Sequence, residues 1–362
     1  MVEGLTEYLK NAQTTFSVIK ILALGAIAFI TAVLATPFLT NFLYKHKLWK
    51  KSSRERTIDG REMPVFKKFH SNKETKVPRL GGLLIWTIPP ILATIFFFLS
   101  ELDGTILDKL NFLSRSQTWL PLFAMISASL VGLLDDVLQV RGRGKYVGGG
   151  LSLRYRLISV FLIGLIGGWW FYAKLGWTTL HIPGNGSISL GIWYIPVFII
   201  VMLAVYAGGV IDGLDGLAGG AFATIFSAFG IIALFRGQID LAAFCSVLAG
   251  TILAFLWFNI PPARFYMGES GTMGLCTALT VVAFLTDSVL VLPIIGILLV
   301  AEAGSVIVQL LSKKFLKKKI FLATPIHYHF EAKGWPHYKI TMRFLVIGLV
   351  AAIIGIAIRL LG

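Results

Sequence analysis

Two aspartates stand side by side at the end of a long apolar run, in VGLLDDVLQV at residues 131–140. Carboxylates beside membrane-like segments are expensive and mark functional sites. Asp135 and Asp136 also repel each other and, at the end of a helix, oppose its dipole. A divalent cation would remove both problems, because Mg²⁺ binds one or two carboxylates together with phosphate oxygens and water. The alternative is a loop start at the membrane surface, where water, Arg141 or Arg143 would stabilise the pair.

A second acidic element reads VIDGLDGLAGG, at residues 210–220. Asp212 and Asp215 are three residues apart and therefore share one face of a helical turn. Gly213 and Gly216 would let the backbone approach a ligand closely. The alternative is that Asp215 caps the start of the next helix, which leaves Asp212 to bind the ligand.

A third element, NIPPARFYMGESGT at residues 259–272, combines polar, aromatic and acidic side chains. An aromatic ring such as that of Tyr266 could stack on a nucleobase, Asn259 could donate hydrogen bonds, and Glu269 could reach a metal ion. The alternative is a tight loop in which the two prolines merely end the preceding helix.

Two histidines alternate in ATPIHYHFEAKGWPHYK, at residues 323–339, after the basic run KKFLKKK. The alternation of His327 and His329 predicts an extended segment with both imidazoles on one side. A third and fourth ligand at zinc spacing are missing from this stretch. A pair of donors that faces phosphate therefore fits better than a transition-metal site.

The elements that must position these residues are membrane-spanning helices. Of the 362 residues 56% are hydrophobic and only 14% are charged, with a mean hydropathy of +0.79. Soluble domains average about 25% charged residues, so the chain belongs to the polytopic helical membrane class. Apolar runs near 20 residues are long enough to cross a bilayer. The expectation is an all-α integral membrane protein, a single domain over 1–362, with ten spans at 17–40, 80–99, 119–135, 155–173, 192–211, 217–235, 239–258, 272–287, 289–311 and 342–361.

The basic residues predict the orientation of these spans. Alternate connections between them, extended to the flanking Arg156 and Arg343, carry 26 of the 33 Lys and Arg residues, and cytoplasmic loops are the ones enriched in positive charge. Both termini are therefore expected outside, and the acidic elements gather at the cytoplasmic face. The net charge of +15 then reflects topology, and no nucleic-acid partner is expected. The longest loop, 41–79, either rests on anionic membrane lipids or holds a polyanionic substrate.

Six motifs occur together and in a fixed order: VPRLGG, LLDDV, DGLDGLA, FYMGESGT, EAGSVIVQL and PIHYHFEAKGW. With ten spans and five cytoplasmic loops, they resemble the polyprenyl-phosphate N-acetylhexosamine-1-phosphate transferase superfamily over nearly the whole chain. The match is best to the branch that moves phospho-N-acetylmuramoyl-pentapeptide from UDP to undecaprenyl phosphate, which releases UMP. PIHYHFEAKGW is the most specific of the six.

The resemblance implies a Mg²⁺-dependent phosphotransferase of peptidoglycan synthesis in the bacterial inner membrane, with a UDP-linked sugar and undecaprenyl phosphate as partners. By resemblance it is also expected to be a homodimer. Asp212 and Glu269 become the expected metal ligands. The expected catalytic residues are Asp135, Asp136, Asp212, Glu269 and His327. The expected substrate-binding residues are Lys73, Lys76, Arg154, Arg156, Asp215, Asn259, Tyr266 and His329.

Some positions depart from the family pattern. Glu269 replaces an aspartate, Tyr206 and Gly209 stand where two asparagines usually precede DGLDG, and Gln139 replaces a lysine. VPRLGG is closer to WecA-type transferases, which take simpler donors such as UDP-N-acetylglucosamine. Three other functions therefore stay open: this simpler transferase, an inactive relative that binds lipid or nucleotide, and a ten-helix secondary transporter. Transporters place their carboxylates near the bilayer midplane in repeated halves, whereas these acids gather at one face.

Overall fold

The computed structural model describes residues 2–51, 75–101, 108–144 and 149–362, with only the backbone for residues 2–13. Twelve α-helices dominate these described residues. They are α1 (Val2–Lys45), α2 (Gly82–Leu99), α3 (Trp119–Val140), α4 (Leu153–Trp169), α5 (Tyr194–Gly208), α6 (Leu217–Phe235), α7 (Ile239–Asn259), α8 (Gly268–Leu285), α9 (Leu292–Ile295), α10 (Ile297–Leu311), α11 (Ile326–Ala332) and α12 (His337–Leu361). Short 3-10 segments at Asp108–Leu110, Gly191–Trp193 and Gly209–Ile211 and π-helical turns at Trp170–Lys174 and Ser312–Leu316 complete them.

Nine helical segments in the described part of the chain are long and apolar enough to cross a membrane. They are Thr14–Lys45, Gly82–Leu99, Trp119–Val140, Leu153–Lys174, Gly191–Ile211, Leu217–Phe235, Ile239–Asn259, Gly268–Leu285 and His337–Leu361. Each coincides with a predicted span, which confirms nine of the ten. The protein is therefore a multi-pass membrane protein.

The remaining predicted span, 289–311, is broken. Pro293 lies in the first turn of the four-residue helix α9, and Gly296 then leaves helical geometry with φ −94° and ψ 29° before α10 begins. Proline favours a helix start and glycine favours a helix end, so the two residues divide one apolar run into two helices. Hydropathy alone does not show such a break.

The expected all-α class is confirmed for the described residues, and a small β-hairpin accompanies the helices. Thr179–Ile182 (β1) pairs antiparallel with Gly186–Ser189 (β2). The backbone N–H of His181 donates to the carboxylate of Asp287, just beyond the C-terminal end of α8. The hairpin therefore lies at the end of the bundle opposite the start of α8.

Helix α8 lies at the centre of the bundle, and all of its residues except Glu269 are buried. Small residues allow its neighbours to approach closely. A Cβ atom on Gly132 of α3 would overlap the carbonyl oxygen of Glu269, and one on Gly274 would overlap the hydroxyl of Ser129. Buried hydroxyls return to the helix itself, as when Thr277 donates to the carbonyl of Met273 at 3.0 Å. The buried threonine hydroxyls of α8, at Thr272, Thr277 and Thr280, are thereby satisfied within the helix.

Several helix ends meet at the face where α8 begins. Helix α3 ends there, and the backbone before α2 is joined to the backbone before α8. Gly81 N–H donates to the carbonyl of Tyr266 at 2.9 Å, and Gly82 N–H donates to that of Met267 at 2.9 Å. Tyr266 N–H returns a bond to the carbonyl of Pro78 at 2.8 Å. Segments far apart in sequence are thus held in one register at this face.

The close contact of α3 and α8 predicts that Gly132→Ala destabilises the fold by about 1–3 kcal/mol, because an added methyl group meets backbone that cannot yield. The readout is the thermal unfolding midpoint of the purified protein in detergent. Gly304→Ala is the matched control, since a Cβ there would meet nothing within 4 Å. Equal midpoints for the two variants would contradict this packing.

Candidate active site

The carboxylate of Asp136 caps the start of α8. It is fully buried, and it accepts the N–H of Glu269 at 3.0 Å and the N–H of Ser270 at 2.9 Å. The positive end of the α8 dipole stabilises this charge. Gly268 makes the approach possible, because its φ is +74° and a Cβ there would lie 2.5 Å from an Asp136 oxygen. Asp136 therefore positions Glu269, and its expected catalytic role stays a prediction.

Asp135 holds the backbone that follows α3. One of its oxygens accepts the N–H of Leu151 at 2.6 Å, and the other accepts the side-chain amide of Gln139 at 2.5 Å. Gly150, at φ +92°, leaves room for the carboxylate. Gln139, a departure from the family pattern, is thus the direct partner of the expected catalytic acid. The side chain of Asp135 is buried.

The carboxylate of Glu269 is held by hydrogen bonds from two side chains, those of Tyr206 and Arg156. Its Oε1 accepts the hydroxyl of Tyr206 at 2.6 Å and the Nη1–H of Arg156 at 2.6 Å. The second oxygen lies 3.5 Å from the hydroxyl of Thr272. Glu269 and Tyr206, two departures from the family pattern, therefore bond to each other and share Arg156. The expected substrate ligand Arg156 acts here as an internal counter-ion.

Asp212 joins the cluster from the turn between α5 and α6. One oxygen accepts the N–H of Gly268 at 3.1 Å. Burial raises the pKa of Asp212 to about 6, and the negative charges of Asp136 and Glu269 add to this effect. The guanidinium of Arg79 and the Gly268 N–H act in the opposite direction. Because burial destabilises the ionised form of Asp212, a positively charged partner nearby would stabilise it.

Arg79 is a site residue to which the sequence analysis assigned no role. Its Nε lies 3.7 Å from an Asp136 oxygen, and its charge acts on Asp212 and Glu269 as well. The available signal was its place in VPRLGG, as the last basic residue before a span. The cluster consists of four carboxylates and two guanidinium groups, with a formal charge of −2: Asp135, Asp136, Asp212, Glu269, Arg79 and Arg156.

His327 is oriented by a residue outside the expected site list, Glu302 of α10. The Nδ1 of His327 lies 2.8 Å from Oε2 of Glu302, and both side chains are buried. A carboxylate can only accept, so Nδ1 carries the proton of this bond and Nε2 is left to face another partner. Nε2 has no hydrogen-bond partner among the described residues. It faces Gly213, where a Cβ would overlap it. In the sequence, Glu302 could have been recognised as a site residue because it is an acidic residue inside an apolar span.

The two histidines do not share a face, so the expected extended segment is wrong. Pro325 takes an extended conformation with ψ 174° and starts helix α11, in which residues two apart diverge. His329 turns away from His327 and accepts the N–H of Leu322 on Nδ1 at 3.1 Å. Burial and the Lys333 ammonium lower the pKa of His329. It is therefore a neutral imidazole with Nε2–H as its donor.

The expected nucleoside-binding residues lie around the loop between α7 and α8. Asp215 is buried and accepts the N–H of Ala263 at 3.4 Å. Asn259 joins the two loops, because it accepts the N–H of Gly216 and donates to the carbonyl of Phe265, both at 2.9 Å. Asp215 therefore does not use its side chain to cap α6. Asn259 supports the loops, and its expected contact with substrate stays a prediction.

The other expected cations and aromatic groups are less closely tied to the cluster. Lys76 and Arg154 are exposed, and Tyr266 is half-buried beside the cluster. Lys73 lies outside the described residues. In the described part of the chain, no three His, Cys, Asp or Glu side chains form a ready-made metal cage. Any cation here must complete its coordination with substrate and water.

Comparison with known proteins finds one family model and named relatives that match this chain. Residues 118–287 match the family model described as glycosyl transferase family 4. Curated relatives named phospho-N-acetylmuramoyl-pentapeptide-transferase match most of the chain. That of Geobacillus sp. (strain WCH70) is 35% identical over 92% of this chain and 96% of the relative. The relative from Chloroflexus aggregans is 30% identical over 94% of this chain and 90% of the relative. The relative from Levilactobacillus brevis is 36% identical over 78% of this chain and 84% of the relative.

The Glu302–His327 pair predicts that Glu302→Gln moves the imidazole proton, because a glutamine amide can donate to Nδ1 and so favour the opposite tautomer. The loss of the charged partner should also cost about 1 kcal/mol of stability. The readout is the ¹⁵N NMR spectrum of protein labelled only at histidine.

Glu331→Gln is the matched control, because Glu331 is a buried acid bonded to a different histidine, His337. It should change the His337 signals and leave those of His327 in place. An unchanged His327 tautomer in Glu302→Gln would refute the assignment.

Proposed function

The chain belongs to the phospho-N-acetylmuramoyl-pentapeptide-transferase family, and we propose that it transfers phospho-N-acetylmuramoyl-pentapeptide from its UDP-linked donor to undecaprenyl phosphate. The products are lipid I and UMP. We place the protein in the bacterial cytoplasmic membrane with the carboxylate cluster toward the cytoplasm, where a soluble nucleotide and a membrane-held phosphate can meet. The basic connections support this orientation, and a homodimer remains an expectation from the family.

The observation that carries the proposal is the charge of the cluster. Four carboxylates face two guanidinium groups, and the remaining formal charge of −2 would be balanced by the +2 charge of one divalent cation. Mg²⁺ takes one or two carboxylates and completes its shell with phosphate oxygens and water. Asp212 and Glu269 fit this demand, because one oxygen of Asp212 bonds to the Gly268 N–H, and the second oxygen of Glu269 makes a long 3.5 Å contact with the Thr272 hydroxyl that a cation could replace.

When bound, Mg²⁺ would neutralise the donor diphosphate and the charge that develops on the departing UMP. A lipid phosphate oxygen forms a new bond to the sugar-bearing phosphorus as the bond to UMP breaks, which requires positioning more than covalent catalysis. A phosphate monoester is already largely ionised near neutral pH. In this proposal Asp135 orients the lipid phosphate, and deprotonation is a lesser requirement.

The donor is held by groups around the cluster. The neutral His329 presents Nε2–H to phosphate, and Arg79 supplies a guanidinium, which matches phosphate geometry. Asp215 and Tyr266 are placed to hold the uridine, by hydrogen bonding and by stacking. His327 lies behind the Asp212 turn and supports its shape through Gly213.

A second candidate donor is UDP-N-acetylglucosamine, and Arg79 is the observation that favours it. The guanidinium stands inside the cluster in a VPRLGG motif that resembles the transferases with simpler donors. The bonds from Tyr206 and Arg156 to Glu269 count against an inactive relative, because the departures form one ordered unit. The collection of the acids at helix ends on one face counts against a transporter.

A direct comparison of the two donors tests the proposal. Purified protein with undecaprenyl phosphate and Mg²⁺ is expected to release UMP from UDP-N-acetylmuramoyl-pentapeptide at least about 10-fold faster than from UDP-N-acetylglucosamine, the ratio that 1.4 kcal/mol of transition-state discrimination gives. The reverse preference would assign the simpler transferase. Release from neither donor would refute the reaction class.

Asp212→Asn tests the metal assignment. The amide keeps an oxygen for the Gly268 N–H but removes the charge, so UMP release should fall about 100-fold or more, in the range for loss of a key electrostatic group. Asp240→Asn is the control, because Asp240 bonds to Lys20 and lies in the first turn of α7, at the opposite end of that helix from Asn259 and the site loops. Near-normal release by Asp212→Asn would exclude Asp212 as a metal ligand.

A further inference from the structure

The chain leaves α10 through an exposed segment that no step of the proposed reaction uses. This segment, residues 312–322, is called the hook here. It begins with the π-helical turn Ser312–Leu316 and reverses at Lys317, whose φ is +52°. Phe315 is 70% exposed and Leu316 is 64% exposed, and two more large apolar side chains, Ile320 and Leu322, are also exposed.

Lysines flank these apolar side chains, in the order KKFLKKKIFL at residues 313–322. Lys314, Lys317, Lys318 and Lys319 are all exposed, and the ammonium of Lys314 lies 5.4 Å from the ring centre of Phe315. Moving such a segment into the hydrocarbon of a membrane costs free energy because of its charges. Exposing it to water costs free energy because of its apolar surface. The membrane–water interface satisfies both groups, as in interfacial segments that carry Lys beside Phe and Leu.

The hook is an ordered element. The side chain of Gln309, which is buried, accepts the N–H groups of Ile320 and Phe321 at 3.1 and 3.0 Å. Its amide donates to the carbonyl of Phe321 at 3.2 Å, and the hydroxyl of Ser312 donates to that of Lys318 at 2.9 Å. These bonds fix the direction in which the hook presents its tip.

The base of the hook contacts the histidine helix. Leu322 N–H donates to Nδ1 of His329 at 3.1 Å, and the ring of Phe321 lies edge-on to His329 with centres 5.6 Å apart. The hook therefore lies on the same face of the bundle as the carboxylate cluster. Its position relative to the membrane is linked to the position of a donor-binding residue.

We propose that the hook is a docking surface for anionic phospholipid in the leaflet beside the active site. Phe315, Leu316 and Ile320 enter the headgroup region, and the lysines bind phosphodiester and carboxylate groups around them. Charge complementarity selects this occupant, because the cytoplasmic leaflet is negative. The choice of leaflet rests on the orientation given under the proposed function, whereas docking itself does not.

Each lysine near an anionic surface favours docking about fivefold, so loss of three should weaken it roughly 100-fold. Lys317→Gln, Lys318→Gln and Lys319→Gln together form this hook variant. The variant keeps the four backbone bonds made by Gln309 and Ser312, so the fold of the hook should persist.

The depth of the hook can be measured with a nitroxide on Ile320→Cys. The two native cysteines, Cys245 and Cys276, are fully buried, so the label should react at the new site. The full chain is placed in nanodiscs of phosphatidylcholine alone or with 30% phosphatidylglycerol. Collision of the label with oxygen reports hydrocarbon, and collision with a water-soluble nickel complex reports water.

The expected result is a higher oxygen-to-nickel ratio in the anionic nanodiscs, which the hook variant reduces to the phosphatidylcholine value. The matched control removes the same charge from exposed basic residues outside the hook, as Lys47→Gln, Arg141→Gln and Arg143→Gln. It should keep the anionic response, and thermal midpoints verify that both variants are folded.

Three outcomes would overturn the proposal: a label equally deep, or equally exposed to water, in both lipids; a control triple as strong as the hook variant; or a response to polyprenyl phosphate alone, which would make the substrate the occupant. UMP release is measured separately in the same nanodiscs. If the labelled protein shows the anionic response but releases no UMP, the result counts against the proposed function. If it releases UMP but shows no anionic response, the result counts against the hook as a docking surface.

Discussion

Two backbone N–H groups at the start of α8 bond to the carboxylate of Asp136, and the rest of the site depends on this contact. An aspartate at the end of α3 opposes the dipole of its own helix, but here it meets the positive end of another. The close approach requires Gly132 on α3 and Gly268, the first residue of α8. It places Glu269 toward Tyr206 and Arg156, while Asp135 bonds to Gln139 and to the Leu151 N–H.

The departures from the family pattern are coordinated with one another. Glu269 is one methylene longer than the usual aspartate, and the hydroxyl of Tyr206 and the guanidinium of Arg156 bond to the same oxygen. Gln139 likewise bonds to Asp135. The substituted residues therefore keep their acids hydrogen-bonded, which buried carboxylates require. The cluster retains its negative charge, on which the proposed cation site depends.

The spans and the acidic elements were predictable because each leaves a local signal. About 20 apolar residues are needed to cross a bilayer, and acids beside such runs stand out. The break at Gly296 was less visible, because the apolar run continues on both sides. The histidine segment was predicted as extended because its alternation resembles a strand, yet Pro325 starts a helix there. Asp136 as a cap and Glu302 as a partner depend on contacts 134 and 25 residues away in sequence, for which local patterns carry no information.

The central claim is that this charge cluster binds one divalent cation together with a diphosphate donor. It is tested most directly by titrating Mn²⁺ into the purified protein, with and without the UDP-linked donor, and counting free Mn²⁺ by electron paramagnetic resonance. The account predicts one bound Mn²⁺ per chain in the presence of donor, with much weaker binding when donor is absent. If the protein saturated with donor binds no Mn²⁺ during the titration, the account is contradicted.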